Sequence, residues 1–76
     1  MEEKVHPQSL ACNKALRDLP LPAECTITAI IRKSQLIIPR GDTVFQPADE
    51  VLALVHQSRL YEFAALLAPP APIQRN

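Results

Sequence analysis

Two arginines, Arg32 and Arg40, are the side chains whose type and spacing best suit ligand chemistry. They flank a predicted β-hairpin, and a guanidinium group binds phosphate or carboxylate through two parallel hydrogen bonds. The two side chains could therefore converge on an anionic ligand. The alternative is that both are solvated strand ends that pair loosely with Asp42 or Glu50. The residues by themselves favour this alternative.

The other reactive side chains do not form a recognisable catalytic or metal site. The two histidines and two cysteines lack the close paired spacing of a structural zinc site. A serine nucleophile would need a glycine-rich elbow, which the sequence does not offer. Asp49 and Glu50 are neighbours on a predicted strand, so their carboxylates point to opposite faces and cannot share a proton. We therefore predict no enzyme, no cofactor and no bound metal.

The composition excludes several other classes of protein. The chain has 76 residues, one glycine (Gly41), and eight basic against eight acidic side chains. One glycine is too few for a Rossmann fingerprint or a Walker A loop. A balanced charge argues against nucleic-acid binding, which depends on phosphate neutralisation. Since no signal peptide or membrane-spanning run is evident, we expect a cytoplasmic protein in which Cys12 and Cys25 are free thiols.

The first third of the chain predicts a short edge strand followed by a helix. The strand is expected within residues 2–7 and ends at Pro7. Ser9 is placed as the helix N-cap, and apolar residues recur behind it at helical spacing. Pro20 and Pro22 end the predicted helix. Its apolar face consists of Cys12, Ala15, Leu16 and Leu19.

The remainder predicts three strands and a second helix. Residues 25–32 are rich in β-branched side chains, and Lys33 and Ser34 form a tight turn into a strand at residues 35–38. Gly41 lies in the next loop, where a glycine can adopt the positive φ that other residues resist. Another strand follows at residues 50–56, and Ser58 is placed as the N-cap of the last helix. The predicted core comprises Leu16, Ile27, Ala29, Ile31, Leu52, Leu54, Leu60, Phe63 and Leu67.

These elements predict a single small α+β domain with a mixed or antiparallel sheet and two helices. Their order is strand, helix, three strands, helix. We expect the domain to occupy residues 5–68 and the proline-rich tail at residues 69–76 to be disordered.

Several segments in this order resemble the TrkA C-terminal domain, the RCK C-terminal module of potassium channel and transporter regulators. The segments are residues 16–22, residues 27–32, the Ile-Ile-Pro-Arg-Gly-Asp-Thr run at residues 37–43, and Asp49 before an apolar strand. The resemblance implies the same α+β fold, a cytoplasmic dimer, and a role in sensing a small ligand that gates potassium flux. Similar modules accompany other ion and solute transporters, so the transported species stays open.

The resemblance also implies a ligand site at Arg32, Pro39 and Arg40, with a nucleotide or a cyclic dinucleotide as the possible anion. Members that bind cyclic di-AMP tend to have polar or basic groups just after the first helix. Here the corresponding residues read Pro-Leu-Pro at residues 20–22. Ser34 and Ala48 stand where the family commonly has a glycine.

Residues 51–55 are apolar on both faces of the predicted strand, which a small two-helix domain covers with difficulty. Either both helices of the same chain cover the strand, or a second copy does. We predict a symmetric homodimer that uses part of the sheet and the last helix. Arg32, Pro39 and Arg40 would then face a cleft whose opposite wall belongs to the second subunit.

The expected partner is a membrane potassium channel or transporter subunit, which would hold the protein at the inner membrane. The alternative function is a purely structural dimerisation module without a ligand.

Overall fold

The computed structural model describes residues 1–70 and consists of one antiparallel sheet with one α-helix. The strand order is β1-β4-β2-β3, so β1 and β3 form the two edges. The α+β class is therefore confirmed, and the sheet is antiparallel throughout. The elements are β1 (Glu2–Lys4), β2 (Cys25–Arg32), β3 (Gln35–Ile37), β4 (Glu50–Val55) and α1 (Leu60–Leu67), with 3₁₀ turns at Leu16–Asp18 and Gln57–Arg59.

The hairpin between β2 and β3 forms as the sequence predicts. Arg32 pairs with Gln35 across a two-residue turn. Lys33 and Ser34 both have positive φ, at 50° and 64°. This is the backbone conformation whose twist matches that of the flanking strands. β3 ends at Ile37, one residue earlier than predicted.

The predicted helix after Ser9 is wrong. Residues 9–19 form successive turns, and only Leu16–Asp18 is a 3₁₀ turn. The backbone N–H groups of Asn13 and Leu16 donate to the carbonyl groups of Phe45 and Thr43, at 2.9 and 2.9 Å. These donors are therefore unavailable for helical hydrogen bonds, and Asn13 also has a positive φ of 66°.

The predicted inward face of β2 is correct for its first half only. A register shift between Ile27 and Ala29, where β2 pairs with β4, marks a β-bulge. A bulge inserts one extra residue and reverses which side chains face the core. Ile30 is consequently fully buried, whereas Ile31, which the alternation placed in the core, is half-buried.

The core lies between α1 and one face of the sheet, here called the inner face. Only Phe63 and Leu67 of the predicted core residues are fully buried, while Leu54 and Leu60 are exposed. Leu16 and Ile27 are half-buried and pack against the core from its margin. Its buried members are Val5, Ala11, Cys12, Leu19, Ile30, Phe45, Val51, Ala53, Phe63 and Leu67.

Helix α1 begins after a 3₁₀ turn whose cap differs from the predicted one. The ring Nδ1 of His56 accepts from the backbone N–H of Ser58 at 3.1 Å, so His56 and not Ser58 is the capping residue. The carbonyl group of Leu67 at the other end accepts from His6 at 2.9 Å, which attaches α1 to the exit of β1. No helix within residues 1–70 has the length and apolarity to cross a membrane.

Candidate functional site

Arg32, the last residue of β2, is engaged in a bidentate ion pair with Asp49. Its Nε donates to Asp49 Oδ1 at 2.9 Å, and its Nη2 donates to Asp49 Oδ2 at 2.8 Å. Nη2 also donates to the carbonyl oxygen of Val44 at 2.9 Å. The remaining nitrogen, Nη1, makes no hydrogen bond to residues 1–70. The Arg32 side chain is 24% exposed to solvent. Arg32 thus pairs tightly with Asp49, and not loosely with Asp42 or Glu50.

Asp49 lies at the start of β4 with only 1% of its side chain exposed. Its Oδ2 accepts from the backbone N–H of Gln46 at 2.9 Å in addition to the bonds from Arg32. Burial by itself raises the pKa of the Asp49 carboxyl, but the hydrogen bonds from Arg32 and Gln46 and the Arg32 charge together hold that pKa below its usual value. The hydrogen bond to Asp49 likewise raises the pKa of Arg32, against the smaller opposing effect of burial. Both side chains are therefore charged in the folded protein.

Asp49 did not stand out from the sequence as the partner of Arg32. The two residues are 17 positions apart, and only the sheet brings them together. The available signal was a lone aspartate directly before an apolar strand. A carboxylate at that position is buried by the strand that follows, so it requires a cationic or hydrogen-bonding partner.

Pro39 and Arg40 lie in the loop that follows β3. The loop is closed by a turn in which the Arg40 backbone N–H donates to Thr43 Oγ1 at 2.9 Å and the Thr43 N–H donates to the Arg40 carbonyl at 3.0 Å. The Gly41 carbonyl accepts from Arg17 at 3.0 Å. Gly41 does not use the positive φ that is open to a glycine, and a Cβ there would lie 3.7 Å from Arg17 Cβ, an ordinary contact.

The guanidinium of Arg40 is exposed and makes no hydrogen bond or ion pair with the residues that the structure describes. The two arginines therefore have different environments, with Arg32 attached to Asp49 and Arg40 available at the surface. Three surface grooves have volumes of about 570, 400 and 310 Å³, and none of them is lined by Arg32, Pro39 or Arg40. The predicted site residues thus lie outside all three of these grooves.

The face of the sheet opposite the core, here called the outer face, is apolar and open. Its most exposed large side chains are Leu36 at 63%, Ile38 at 67% and Leu54 at 70%. The strand pairing places Ile31 beside Leu36 and Leu52 beside Ala29, so the apolar side chains continue from strand to strand. The strand register also places the polar side chains of Glu2, Lys4, Thr26 and Glu50 on this face. The apolar part of the outer face consists of Ala29, Ile31, Leu36, Ile38, Leu52 and Leu54.

Both cysteines are free thiols. Cys12 is buried in the core and Cys25 is half-buried at the start of β2. Burial raises the pKa of the Cys25 thiol, which lowers the reactive thiolate fraction.

The structure is thus a small antiparallel α+β domain with an Arg–Asp ion pair at one strand end and an open sheet face that carries exposed apolar side chains. The family model of the TrkA-C domain matches residues 1–68, and the chain belongs to this family. This confirms the resemblance on which the sequence prediction relied.

Relatives in two archaea are similar to parts of the chain. A "Trk system potassium uptake protein TrkA homolog" of Archaeoglobus fulgidus is 51% identical over 39 residues, which cover 51% of this chain and 9% of that protein. A "Trk system potassium uptake protein trkA homolog 1" of Methanosarcina mazei is 32% identical over 53 residues, covering 70% of this chain and 13% of that protein. The chain thus spans only a small part of the length of either relative.

The fold also matches a solved structure described as "Structure of RCK domain with cda". The TM-score is 0.73 at 22% identity, over 88% of this chain and 97% of that chain. At this identity the match supports the fold, and it agrees with the family membership.

Proposed function

We propose that this chain is the cytoplasmic regulatory module of a potassium channel or potassium uptake regulator. It acts as a homodimer, senses a small anionic ligand, and is held at the inner membrane by a membrane transporter subunit. Membership of the TrkA-C family and the potassium uptake relatives support this role. The working unit is the domain at residues 5–68, and its role is regulatory rather than catalytic.

The open outer face of the sheet is the observation that carries the proposal. Leu36, Ile38 and Leu54 are each more than 60% exposed on one continuous apolar surface. Burial of apolar surface stabilises an interface by about 25 cal/mol for each Å² removed from water. A chain with zero net charge adds no long-range repulsion between copies. A second copy placed by a two-fold axis covers the outer face with an identical surface.

The ligand side of the proposal depends on two guanidinium groups and one proline. Arg40 is exposed and unpaired among the described residues, Pro39 precedes it, and Arg32 retains the two N–H donors of Nη1. These donors suit the phosphate groups of a nucleotide or cyclic dinucleotide. None of the three grooves described above is lined by these residues, so we place the opposite wall of the site on the second subunit, at the end of β2 where Arg32 lies and beside the outer-face contact. The solved RCK neighbour is described as carrying a ligand, which supports a ligand role for this fold.

A second candidate is a purely structural dimerisation module that binds no ligand. The observation in its favour is the set of hydrogen bonds from Arg32 to Asp49 and to the Val44 carbonyl, which together satisfy three of the five N–H donors of the guanidinium. Only Arg40 is then fully available for an anion.

Sedimentation equilibrium of the full chain tests the dimer. We expect the wild-type chain to sediment as a dimer at micromolar concentration and Leu54→Lys to sediment as a monomer, because the lysine charge would be buried in the interface. Gln8→Lys is the matched control, since Gln8 is exposed and lies outside the sheet. A monomeric wild-type chain, or a Leu54→Lys variant that remains dimeric, would contradict the outer-face dimer.

Thermal shift with ATP, cyclic di-AMP and inorganic phosphate separates the two candidates. A ligand that binds only the folded state raises the melting temperature. We expect one of the nucleotides to do so, with the shift reduced in Arg40→Gln and retained in the charge-matched control Arg59→Gln, which lies outside the sheet. If none of the three anions shifts the wild-type melting temperature, the structural module is the correct interpretation.

A further inference from the structure

We infer that Asp49 is a positioning residue that orients Arg32 toward the anion, an inference that rests on the proposed function. Asp49 would not touch the ligand. It holds the Nε and Nη2 edge of the guanidinium at 2.9 and 2.8 Å, so the remaining Nη1 donors are fixed in direction.

The planarity of the guanidinium group is the physical reason. Nε, Nη1 and Nη2 lie in one plane, so a bidentate carboxylate on one edge determines where the other donors point. The Val44 carbonyl takes a further N–H of Nη2 at 2.9 Å and restricts rotation of the group. Nη1 is then the only nitrogen of the Arg32 guanidinium that has no hydrogen-bond partner among the described residues.

Asp49 is itself rigidly held. Its side chain is 1% exposed, and its Oδ2 accepts from the Gln46 backbone at 2.9 Å. Its own carbonyl accepts from the Val5 N–H at 2.9 Å, which connects it to the chain leaving β1. A fixed carboxylate can hold an arginine in one orientation, whereas an exposed one would move with it.

The charge of Asp49 makes the inference testable by the sign of an effect. Removing a negative charge near an anion site should strengthen anion binding if charge alone matters. Removing a positioning carboxylate should weaken binding, because Arg32 loses its fixed orientation. The two explanations predict opposite changes for Asp49→Asn.

Isothermal titration of the full chain with ATP and cyclic di-AMP, with inorganic phosphate as the minimal anion, measures this sign. We expect Asp49→Asn to weaken binding of the best nucleotide roughly tenfold. Glu62→Gln is the control, because it also removes one negative charge but from the exposed pair with Arg59. We expect it to leave the affinity unchanged.

A double-mutant cycle shows whether Asp49 acts through Arg32. In an Arg32→Gln background the Asp49→Asn change should have no further effect on affinity, because the group it orients is gone. Equal losses in both backgrounds would show that Asp49 acts by another route and would overturn the inference. Equal or tighter binding by Asp49→Asn in the wild-type background would also overturn it.

Arg32→Lys and Arg40→Lys provide a second test that holds if Asp49→Asn does not fold. Both variants keep the positive charge, but only at Arg32 does the lysine lose a guanidinium group whose orientation is fixed by Asp49. We expect Arg32→Lys to weaken binding more than Arg40→Lys, and an equal or smaller loss would contradict the inference. Failure of the wild-type chain to bind any of the three anions would instead remove the proposed ligand function together with this role for Asp49.

Discussion

The two faces of the sheet are both apolar, but they have opposite environments. On the inner face, Ile30 and Val51 are fully buried in the core cluster that also contains Phe45 and Phe63. On the outer face, Leu36 and Leu54 are more than half exposed. The difference shows that hydrophobic composition identifies a sheet that needs covering, but not which face its own chain covers.

The two faces also differ at their margins. At the margin of the inner face, Arg32 forms an ion pair with the buried Asp49 and donates a hydrogen bond to the Val44 carbonyl. On the outer face, by contrast, the polar side chain beside Leu54 is the exposed Thr26. A charged group can thus belong to the buried side of this small domain, because its partner is supplied across the sheet.

The largest expected effect comes from breaking the ion pair at the inner margin. Arg32→Met leaves the Asp49 carboxylate buried without its cation, and we expect a loss of about 3–5 kcal/mol in the free energy of unfolding. Urea denaturation measures this loss, and we expect the dependence of the unfolding free energy on urea concentration to be the same as in the wild type. Arg59→Met, which breaks the exposed pair with Glu62, should cost at most about 1 kcal/mol. Comparable losses in the two variants would contradict the distinction between buried and exposed pairs.

The two adjacent isoleucines of β2 give the sharpest comparison of the faces. Ile30→Ala should cost about 2–5 kcal/mol because it opens a cavity in the closed core. Ile31→Ala should cost clearly less at protein concentrations where the chain is monomeric, because Ile31 is half-buried on the outer face. Urea denaturation of both variants under identical conditions decides this. A larger loss for Ile31→Ala would place the bulge of β2 elsewhere.

Acid provides a milder way to weaken the inner margin. The folded-state pKa of Asp49 is lowered, so its contribution is fully present above the unfolded pKa of about 3.9 and is lost as pH falls through the folded value. Wild-type stability should therefore decrease below about pH 5, and part of that decrease should be absent in Asp49→Asn. The measurement is the urea midpoint between pH 6 and pH 2.5, conditions chosen to bracket roughly the titration range of a carboxyl. Parallel pH profiles for the two proteins would contradict this role of Asp49.

The smallest expected effect concerns the turn that leads into Asp49. Ala48 has a positive φ of 69°, a conformation that costs a non-glycine residue about 1 kcal/mol. Ala48→Gly should consequently raise the free energy of unfolding by up to about 1 kcal/mol. Ala23→Gly is the control, because Ala23 is exposed in a turn without a positive φ, and there the glycine should be neutral or destabilising. A destabilised Ala48→Gly variant would show that the strain is relieved in another way.

Local patterns predicted the hairpin and the last helix well because each depends on neighbours in the chain. The turn at Lys33 and Ser34 follows from two β-rich runs separated by two residues. Phe63 and Leu67 are buried because they lie one turn apart on α1. The same spacing behind Ser9 predicted a helix that does not exist. There the hydrogen-bonding partners are distant carbonyl groups at Thr43 and Phe45, which no local pattern contains.

The candidate site shows the same division. Arg32, Pro39 and Arg40 remain the proposed ligand residues, and their position around the hairpin was evident from the sequence. The pairing of Arg32 with Asp49 was not, because strand register and the β-bulge decide which residues meet. Residues 71–76, most of the predicted disordered tail, lie outside the described residues.

The α+β class, the hairpin, the final helix and the family could all be predicted without coordinates, because these depend on short-range periodicity, turn chemistry and the order of a few segments. Tertiary structure alone decided the phase of β2, the path of residues 9–19 and the partner of Arg32. One inserted residue at the bulge exchanges the two faces of the strand after Ile27. The alternation of side chains in the sequence gives no sign of this insertion. The burial of Ile30 in the core and the pairing of Arg32 with Asp49 are what the observed arrangement achieves.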